Sequence, residues 1–230
     1  MIDVKKLIVW GMTLVILLTG IGTVSAFTNL VQNPSFELPP MSDSIQYTIC
    51  PTGTCPQCWT IGNNENVKFI RGLWWDKQDG AQSIDLSGNT RGSISQEIPT
   101  TPSETYLLSF YLSGNFLGGS QDYREVSVYW GDKLIGSQTF EKPFLWSRYF
   151  NMGWHKFAFS LPATGEPSPT ELKFVDTTPG TGNYGVVLDN IIVVPSEVVP
   201  VPEFPTFALP VALIVGLLGA VLFIQRSKEN

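Results

Sequence analysis

The sequence predicts an all-β fold, a jelly-roll β-sandwich, between an N-terminal signal peptide and a C-terminal transmembrane or sorting helix. Three observations predict the sandwich. Short segments alternate apolar and polar residues, turn-forming Gly, Pro, Asn and Asp separate these segments, and no long stretch keeps the period of a helix. The long uncharged apolar runs lie only at the two ends of the chain.

Residues 1–26 have the form of a secretory signal peptide. Lys5 and Lys6 precede the apolar run Leu7–Leu18, and the segment ends in Val24-Ser25-Ala26. A basic start, an apolar centre and a small-x-Ala end are the marks of such a peptide. An uncleaved anchor is the alternative, and both interpretations predict export.

The C-terminal part predicts a membrane-spanning segment. Residues 207–224 form an uncharged apolar run that is long enough to cross a bilayer. The basic end, residues 225–230, contains Arg226 and Lys228 and is expected on the cytoplasmic side. The Pro-rich linker, residues 195–206, favours an extended, semi-rigid stalk.

The linker contains Pro202, Glu203 and Phe204 directly before the apolar run and the basic end. In this order the three parts resemble the archaeal PEF-CTERM sorting signal. The resemblance implies recognition by an archaeosortase, a membrane transpeptidase that cuts near the motif and transfers the protein to a lipid. A permanent single-span membrane anchor is the alternative. Both leave the exported domain attached to the cell surface.

The region between the two ends is acidic. The whole chain of 230 residues has 14 Lys and Arg against 20 Asp and Glu. Residues 27–206 alone hold 10 Lys and Arg against 18 Asp and Glu, a net charge of −8. Binding to phosphate backbones needs clustered basic side chains, so this composition argues against a nucleic-acid partner. The folded domain is predicted to span residues 27–194.

Nine segments of this domain have the alternation of strands, and eight or nine strands in this length indicate a sandwich. They are Val67–Arg71, Ala81–Leu86, Ser93–Ile98, Thr105–Ser113, Glu125–Trp130, Lys133–Phe140, Trp154–Leu161, Glu171–Asp176 and Val186–Val194. The clearest hairpin turns at Gly131-Asp132, a pair that suits positive φ. Leu-Ser-Gly-Asn occurs twice, at 86–89 and 112–115, and is interpreted as repeated turn chemistry.

Several pieces of the domain, in order, resemble the choice-of-anchor C family of secreted jelly-roll modules. That family is similar to an unknown-function family of plant cell-wall proteins and to galactose-binding-like carbohydrate modules. The pieces are Leu30–Glu37, Trp75–Gly88, Gly92–Gln96, Tyr106–Asn115 and Val187–Ile192. The resemblance implies a galactose-binding-like jelly roll that is attached to the cell surface.

The resemblance also implies a structural calcium ion. In jelly-roll carbohydrate modules the first and last strands run side by side, and an acidic residue from each holds the ion. Here these residues are Glu37 and Asp189. Ca²⁺ takes six to eight oxygen ligands, so backbone carbonyls and water would complete the set. The alternative is that each carboxylate accepts hydrogen bonds from nearby backbone amides.

Trp74, Trp75 and Asp76 are the candidate ligand-binding residues. A sugar has apolar faces ringed by hydroxyl groups, so its site needs a flat aromatic ring beside polar donors and acceptors. Adjacent tryptophans on a strand point to opposite faces. One of the two is therefore expected in the core and the other at the ligand.

Cys50, Cys55 and Cys58 are spaced as C-x₄-C-x₂-C. Export favours one local disulfide, which leaves one cysteine over. An intermolecular disulfide, or reduced thiols in an anaerobe, is the second option. A metal site is the third, although His155, the sole histidine, is distant in sequence from the cysteines.

The predicted function is a non-enzymatic, surface-anchored module that contacts envelope or extracellular polysaccharide. A structural envelope protein that associates with a surface layer is the first alternative, and a polysaccharide hydrolase or lyase is the second. Nucleophilic catalysis has little support, because a Ser-His-Asp triad would depend on His155 and no Gly-x-Ser-x-Gly motif occurs.

Overall fold

The computed structural model describes residues 28–117, 123–141, 151–162, 168–180 and 182–196. Within these ranges all regular structure is β-strand. The expected signal peptide, the sorting motif Pro202-Glu203-Phe204 and the apolar run 207–224 lie outside the described residues. In the ranges given above, no helix has the length and apolar character needed to cross a bilayer.

Eleven strands occur in the described part of the chain. They are β1 (Tyr47–Pro51), β2 (Thr60–Ile61), β3 (Asn66–Arg71), β4 (Gln82–Asp85), β5 (Ser93–Ile98), β6 (Tyr106–Gly114), β7 (Tyr123–Trp130), β8 (Lys133–Glu141), β9 (His155–Leu161), β10 (Thr170–Asp176) and β11 (Val186–Pro195). Their pairing is antiparallel throughout.

The strands form a sandwich of two sheets. A six-stranded sheet has the order β1-β3-β4-β11-β6-β9, and a five-stranded sheet has the order β2-β5-β10-β7-β8. The last strand, β11, lies at the centre of the larger sheet between β4 and β6. The predicted all-β sandwich of two antiparallel sheets is therefore confirmed.

Strand alternation builds the core between the sheets. In β3, Val67 and Phe69 are buried in this core, while Lys68 lies on the opposite face. The two sheets meet directly where Phe110 of β6 packs edge to face on Phe174 of β10, with ring centroids 5.0 Å apart. Such contacts bury the apolar face that each sheet would otherwise expose to water.

The predicted hairpin is present. Trp130 of β7 pairs with Lys133 of β8, so Gly131-Asp132 is the connecting turn. Gly131 has a φ of 57°, a left-handed conformation that a residue without a Cβ adopts at low cost.

Two strands were missed, and the first strand that the calcium resemblance implied before Glu37 is absent from the described structure. β1 and β2 were not predicted, because β1 is mostly exposed and contains Cys and Pro, and β2 has only two residues. Leu30–Glu37 is not a strand, since Asn33 and Phe36 have φ values of 51° and 57° that interrupt an extended backbone. The segment still lies beside β11, where the Leu30 amide donates to the Val193 carbonyl at 2.9 Å.

Phe110→Ala is expected to lower the free energy of unfolding by about 3–5 kcal/mol, because it removes a fully buried ring and leaves a cavity. Leu107→Ala on the same strand is the control. Leu107 is 49% exposed, so a change within about 0.5 kcal/mol is expected. Urea unfolding followed by tryptophan fluorescence measures both. Equal destabilisation by the two variants would contradict the placement of the core.

Candidate binding site

A cleft lies on the outer face of the six-stranded sheet, the face that points away from the five-stranded sheet. Its volume is about 370 Å³, within the usual range for ligand pockets. The alternation of β1 and β3 directs Tyr47, Ile49, Lys68 and Ile70 to this face. The lining residues are Tyr47, Ile49, Lys68, Ile70, Trp74, Trp75, Gly88, Asn89, Asn115, Leu117, Asn183 and Tyr184.

Aromatic side chains form one wall of the cleft. Tyr47 on β1 is 47% exposed, and its ring centroid lies 6.1 Å from that of Trp74 in the loop after β3. Trp74 is half-buried and also contacts Phe116, with centroids 6.4 Å apart. Tyr47 and Trp74 therefore present a partly exposed aromatic surface to a ligand.

The two adjacent tryptophans differ in burial, but both lie on the outer face and line the cleft, so the predicted placement of one of them in the core between the sheets is not what the structure has. Trp75 is fully buried, and its Nε1 donates a hydrogen bond to Ser83 Oγ at 3.0 Å. It packs in an apolar cluster with Ile70, Phe116, Met152 and Val187 on this face of the sheet. Trp75 is thus buried behind the aromatic wall, whereas Trp74 is partly exposed in it. The structure does not place Asp76 among the lining residues.

Polar groups form the rim of the cleft. Asn89 follows β4, Asn115 follows β6, and Asn183 and Tyr184 precede β11. With its amide nitrogen facing the acceptor, Asn183 donates to the Asn89 carbonyl at 2.9 Å. Sequence reasoning missed all four residues. The repeated Leu-Ser-Gly-Asn was the available signal, because its two asparagines, Asn89 and Asn115, both reach the cleft.

Lys68 is the charged residue among the lining side chains, and its charge is compensated. Its Nζ lies 3.9 Å from Asp85 Oδ2 and 5.6 Å from the centroid of the Tyr184 ring. Asp85 is fully buried behind the lysine. Burial raises the pKa of Asp85 to about 6, and Lys68 acts in the opposite direction. Among the described residues that line the cleft, no charge is therefore left uncompensated near neutral pH.

Glu37 and Asp189, the candidate calcium ligands, both contact the loop between β3 and β4. Glu37 Oε1 accepts hydrogen bonds from the amides of residues 81 and 82 at 2.7 and 2.9 Å. Asp189 Oδ2 accepts two from the amides of residues 78 and 79, both at 3.0 Å. Burial raises the pKa of Asp189 to about 8, although these amides oppose the shift.

These contacts match the alternative to calcium, in which each carboxylate accepts from nearby backbone amides. Among the described residues, no group of three or more His, Cys, Asp or Glu side chains is placed to hold a metal ion. Glu37 and Asp189 can supply only part of a calcium coordination shell, and carbonyl and water oxygens would have to supply the rest.

The cysteines are paired locally. Cys50 of β1 is bonded to Cys55, with a Cα–Cα distance of 5.5 Å. Cys50 is buried in the core, whereas Cys58 is an exposed free thiol. The disulfide thus ties β1, one border of the cleft, to the turn that follows it.

The family described as "Protein of unknown function (DUF642)" matches residues 29–194. The chain belongs to this family. The match coincides with the sandwich, so the cleft is a feature of the DUF642 domain. Over 192 residues the chain is 32% identical to Halomucin of Haloquadratum walsbyi; the aligned part is 80% of this chain and 2% of Halomucin's length.

Two solved structures are similar to the DUF642 domain in fold. A cyclase from Fischerella sp. TAU has a TM-score of 0.50 at 14% identity, covering 74% of this chain and 98% of the cyclase. The CBM22-1 xylan-binding domain of Xyn10C from Paenibacillus barcinonensis has a TM-score of 0.43 at 16% identity, covering 75% of this chain and 97% of that domain. At these identities the likeness describes the fold alone.

The cysteine pairing predicts one reactive thiol. In the oxidised, folded chain, Ellman's reagent is expected to modify one thiol per chain, because Cys58 alone is free. Cys58→Ser should abolish the reaction. Denaturation without a reductant should leave the count unchanged, since the disulfide survives unfolding. A count of three thiols in denaturant would contradict the Cys50–Cys55 bond.

Proposed function

We propose that the DUF642 domain is a non-catalytic module that binds neutral polysaccharide in the cleft on its six-stranded sheet. One observation carries the proposal. The partly exposed rings of Tyr47 and Trp74 share one cleft with the asparagine-rich rim, and the lysine in this cleft is neutralised by Asp85.

The chemistry of the lining fits a sugar. The apolar face of a pyranose ring packs on an aromatic ring, and its hydroxyl groups both donate and accept hydrogen bonds. Carboxamide side chains such as those of Asn89 and Asn183 also offer both donors and acceptors. Both are exposed at the rim, so they can exchange water for hydroxyl groups at little cost.

The charge of the cleft favours a neutral glycan over an acidic one. A uronic-acid or sulfated polymer needs cationic side chains with unused donors. Lys68 instead directs its ammonium toward Asp85 and two backbone carbonyls, those of Ser87 and Asn183. The acidic character of the whole chain, with a net charge of −6, would also repel a polyanion.

Binding is favoured over hydrolysis by the same residues. Glycoside hydrolysis generally uses two carboxyl groups that flank the scissile bond. Within the described part of the chain, the residues that line the cleft include no Asp, Glu, His or Cys. Asp85 lies behind Lys68 and is fully buried, so it does not provide such a group to a substrate.

The proposed location is the cell surface. Residues 1–26 support export, and the resemblance of residues 202–230 to an archaeosortase signal supports anchoring to the membrane or to a lipid. A structural envelope protein is the second candidate for the function. Sedimentation distinguishes it, because self-association without glycan affinity would favour the structural role.

Trp74→Ala and Tyr47→Ala are expected to weaken binding to neutral oligosaccharides about 30-fold each, the loss of roughly 2 kcal/mol that a central aromatic contributes. Calorimetric titration of the full chain with xylohexaose, cellohexaose, β-1,4-galactotriose and trigalacturonate measures this. Leu134→Ala is the control, because Leu134 is 55% exposed on β8 of the other sheet and should leave affinity unchanged. Binding of trigalacturonate alone, or equal binding by all variants, would refute the site.

Calcium binding by Glu37 and Asp189 is proposed as a structural property of the same domain. Its support is that both carboxylates are brought to residues 78–82, the end of the β3–β4 loop and the first residue of β4. A chelator is then expected to lower the melting temperature of the wild type, because bound ligand stabilises only the folded state. Glu37→Gln should remove this sensitivity. A melting temperature that is the same with calcium and with chelator would disprove the proposal.

A further inference from the structure

Asp85 lies where three loops of the cleft meet. Its Oδ1 accepts hydrogen bonds from the backbone amides of Ser87 (2.9 Å) and Gly185 (3.2 Å). Its Oδ2 accepts one from Asn115 Nδ2 (2.7 Å). These donors belong to the loops that follow β4, precede β11 and follow β6, and the three loops carry the polar rim. One buried carboxylate therefore holds all three loops to the end of β4.

Lys68 ties two of the same loops from the neighbouring strand. Lys68 and Asp85 are directly paired residues of β3 and β4. Lys68 Nζ donates to the carbonyl oxygens of Ser87 (3.1 Å) and Asn183. The lysine side chain is 14% exposed, so water and salt screen these interactions less than they would at an open surface.

Close packing leaves these loops little room to shift. A Cβ at Gly185 would collide with the side chains of Asp176 and Ser87. Ser87 Oγ donates to Asp176 Oδ2 at 2.7 Å, and Asp176 ends β10 of the five-stranded sheet. The rim is therefore connected to both sheets. A substitution that moves the loop before β11 would therefore also move the loop after β4, which is packed against it.

We propose that Lys68 and Asp85 are positioning residues: their ion pair holds the three rim loops in the arrangement that binds glycan. The inference rests on the proposed glycan-binding function, because it assigns a role within that cleft. The pair acts through Asn89, Asn115 and Asn183 rather than as the principal contact to sugar. Its removal should therefore loosen the rim and weaken binding together.

The arrangement makes glycan affinity depend on pH. Asp85, whose pKa burial raises to about 6, is faced in the described residues by two charged groups, Lys68 on β3 and Asp176 at the end of β10. The groups that β6 and β11 direct at it, Asn115 and the Gly185 amide, are uncharged. Protonation removes the negative partner of Lys68 and turns one acceptor oxygen into a hydroxyl. Affinity should therefore fall as the pH decreases through about 6.

Stability responds to the same proton in the opposite direction. The pKa of Asp85 is higher in the folded chain, at about 6, than its ordinary value of 3.8. The folded state consequently binds the proton more tightly, and the contribution of Asp85 to the free energy of unfolding rises as the pH falls between these values. A role confined to holding up the fold would not predict that affinity declines while this contribution grows.

The test compares the full-length wild type with Lys68→Met, Lys68→Arg and Asp85→Asn. Lys173→Met, a lysine substitution on β10 of the other sheet, is the matched control. Hydrogen exchange of the Ser87 and Gly185 amides, corrected for intrinsic rates and compared with the amides of β10, reports loop order without any ligand. Calorimetry from about pH 7.5 to about pH 5 reports affinity for xylohexaose, or for β-1,4-galactotriose if xylohexaose does not bind.

Lys68→Met is expected to lose protection at both amides and to weaken binding about tenfold, the effect of a lost charge-assisted hydrogen bond. Lys68→Arg should retain both properties, because guanidinium can donate to the same carbonyls, and Lys173→Met should match the wild type. Wild-type affinity should fall below about pH 6. If Asp85→Asn fails to fold, the lysine series and the wild-type pH profile still decide the question.

Unchanged protection in Lys68→Met would overturn the positioning role, whether or not a glycan binds. Affinity that stays constant across the pH range would overturn it as well. If neither oligosaccharide binds the wild type, the proposed function is what fails for these sugars. The exchange data then decide by themselves whether the ion pair orders the rim, with loss in Lys68→Met and rescue in Lys68→Arg as the supporting result.

Discussion

The six-stranded sheet carries apolar side chains on both faces at its centre, and much of the molecule is arranged to cover them. In β11, Val186 and Leu188 face the core between the sheets, while Val187 packs with Trp75 on the outer face. The five-stranded sheet covers the first face. Loop residues such as Phe116 cover the outer face, and Trp74 is at the edge of this covered area. The cleft is the part of the outer face, on β1 and β3, that the loop layer leaves open.

Buried carboxylates attach the loops to this outer face. Asp85 and Asp189 both lie on strands of the six-stranded sheet, and each accepts hydrogen bonds from backbone amides of loops that have no strand partner. Burial raises the pKa of both side chains. Desolvation therefore outweighs the amide hydrogen bonds at each position. A buried carboxylate thus fixes the loops beside the cleft in the case of Asp85, and the loop before β4 in the case of Asp189.

Much of the fold was predictable because strand alternation is a local property of the sequence. The Gly131-Asp132 hairpin and the exact limits of β5 follow from it. β1 was not recognised, since Tyr47–Pro51 is a mostly exposed edge strand without a clear alternating pattern. Of the candidate site, only Trp74 and Trp75 were predicted from the sequence. Its other members come from segments that are distant in sequence, and the register of β3, β4 and β11 brings them together. That register cannot be predicted from the spacing of residues along the sequence.

Gly185 belongs to the closely packed backbone beneath the cleft, whereas two of the rim side chains above it are exposed. A Cβ at Gly185 would collide with the side chains of Asp176 and Ser87, so a larger residue there would displace the buried contacts beneath the rim. Asn89 and Asn183 are exposed at the rim, and the Asn183 side chain also donates to the Asn89 carbonyl. Under the proposed function, a change of the exposed rim side chains would alter the groups offered to a glycan, while the buried contacts of Gly185 and Asp85 would stay the same.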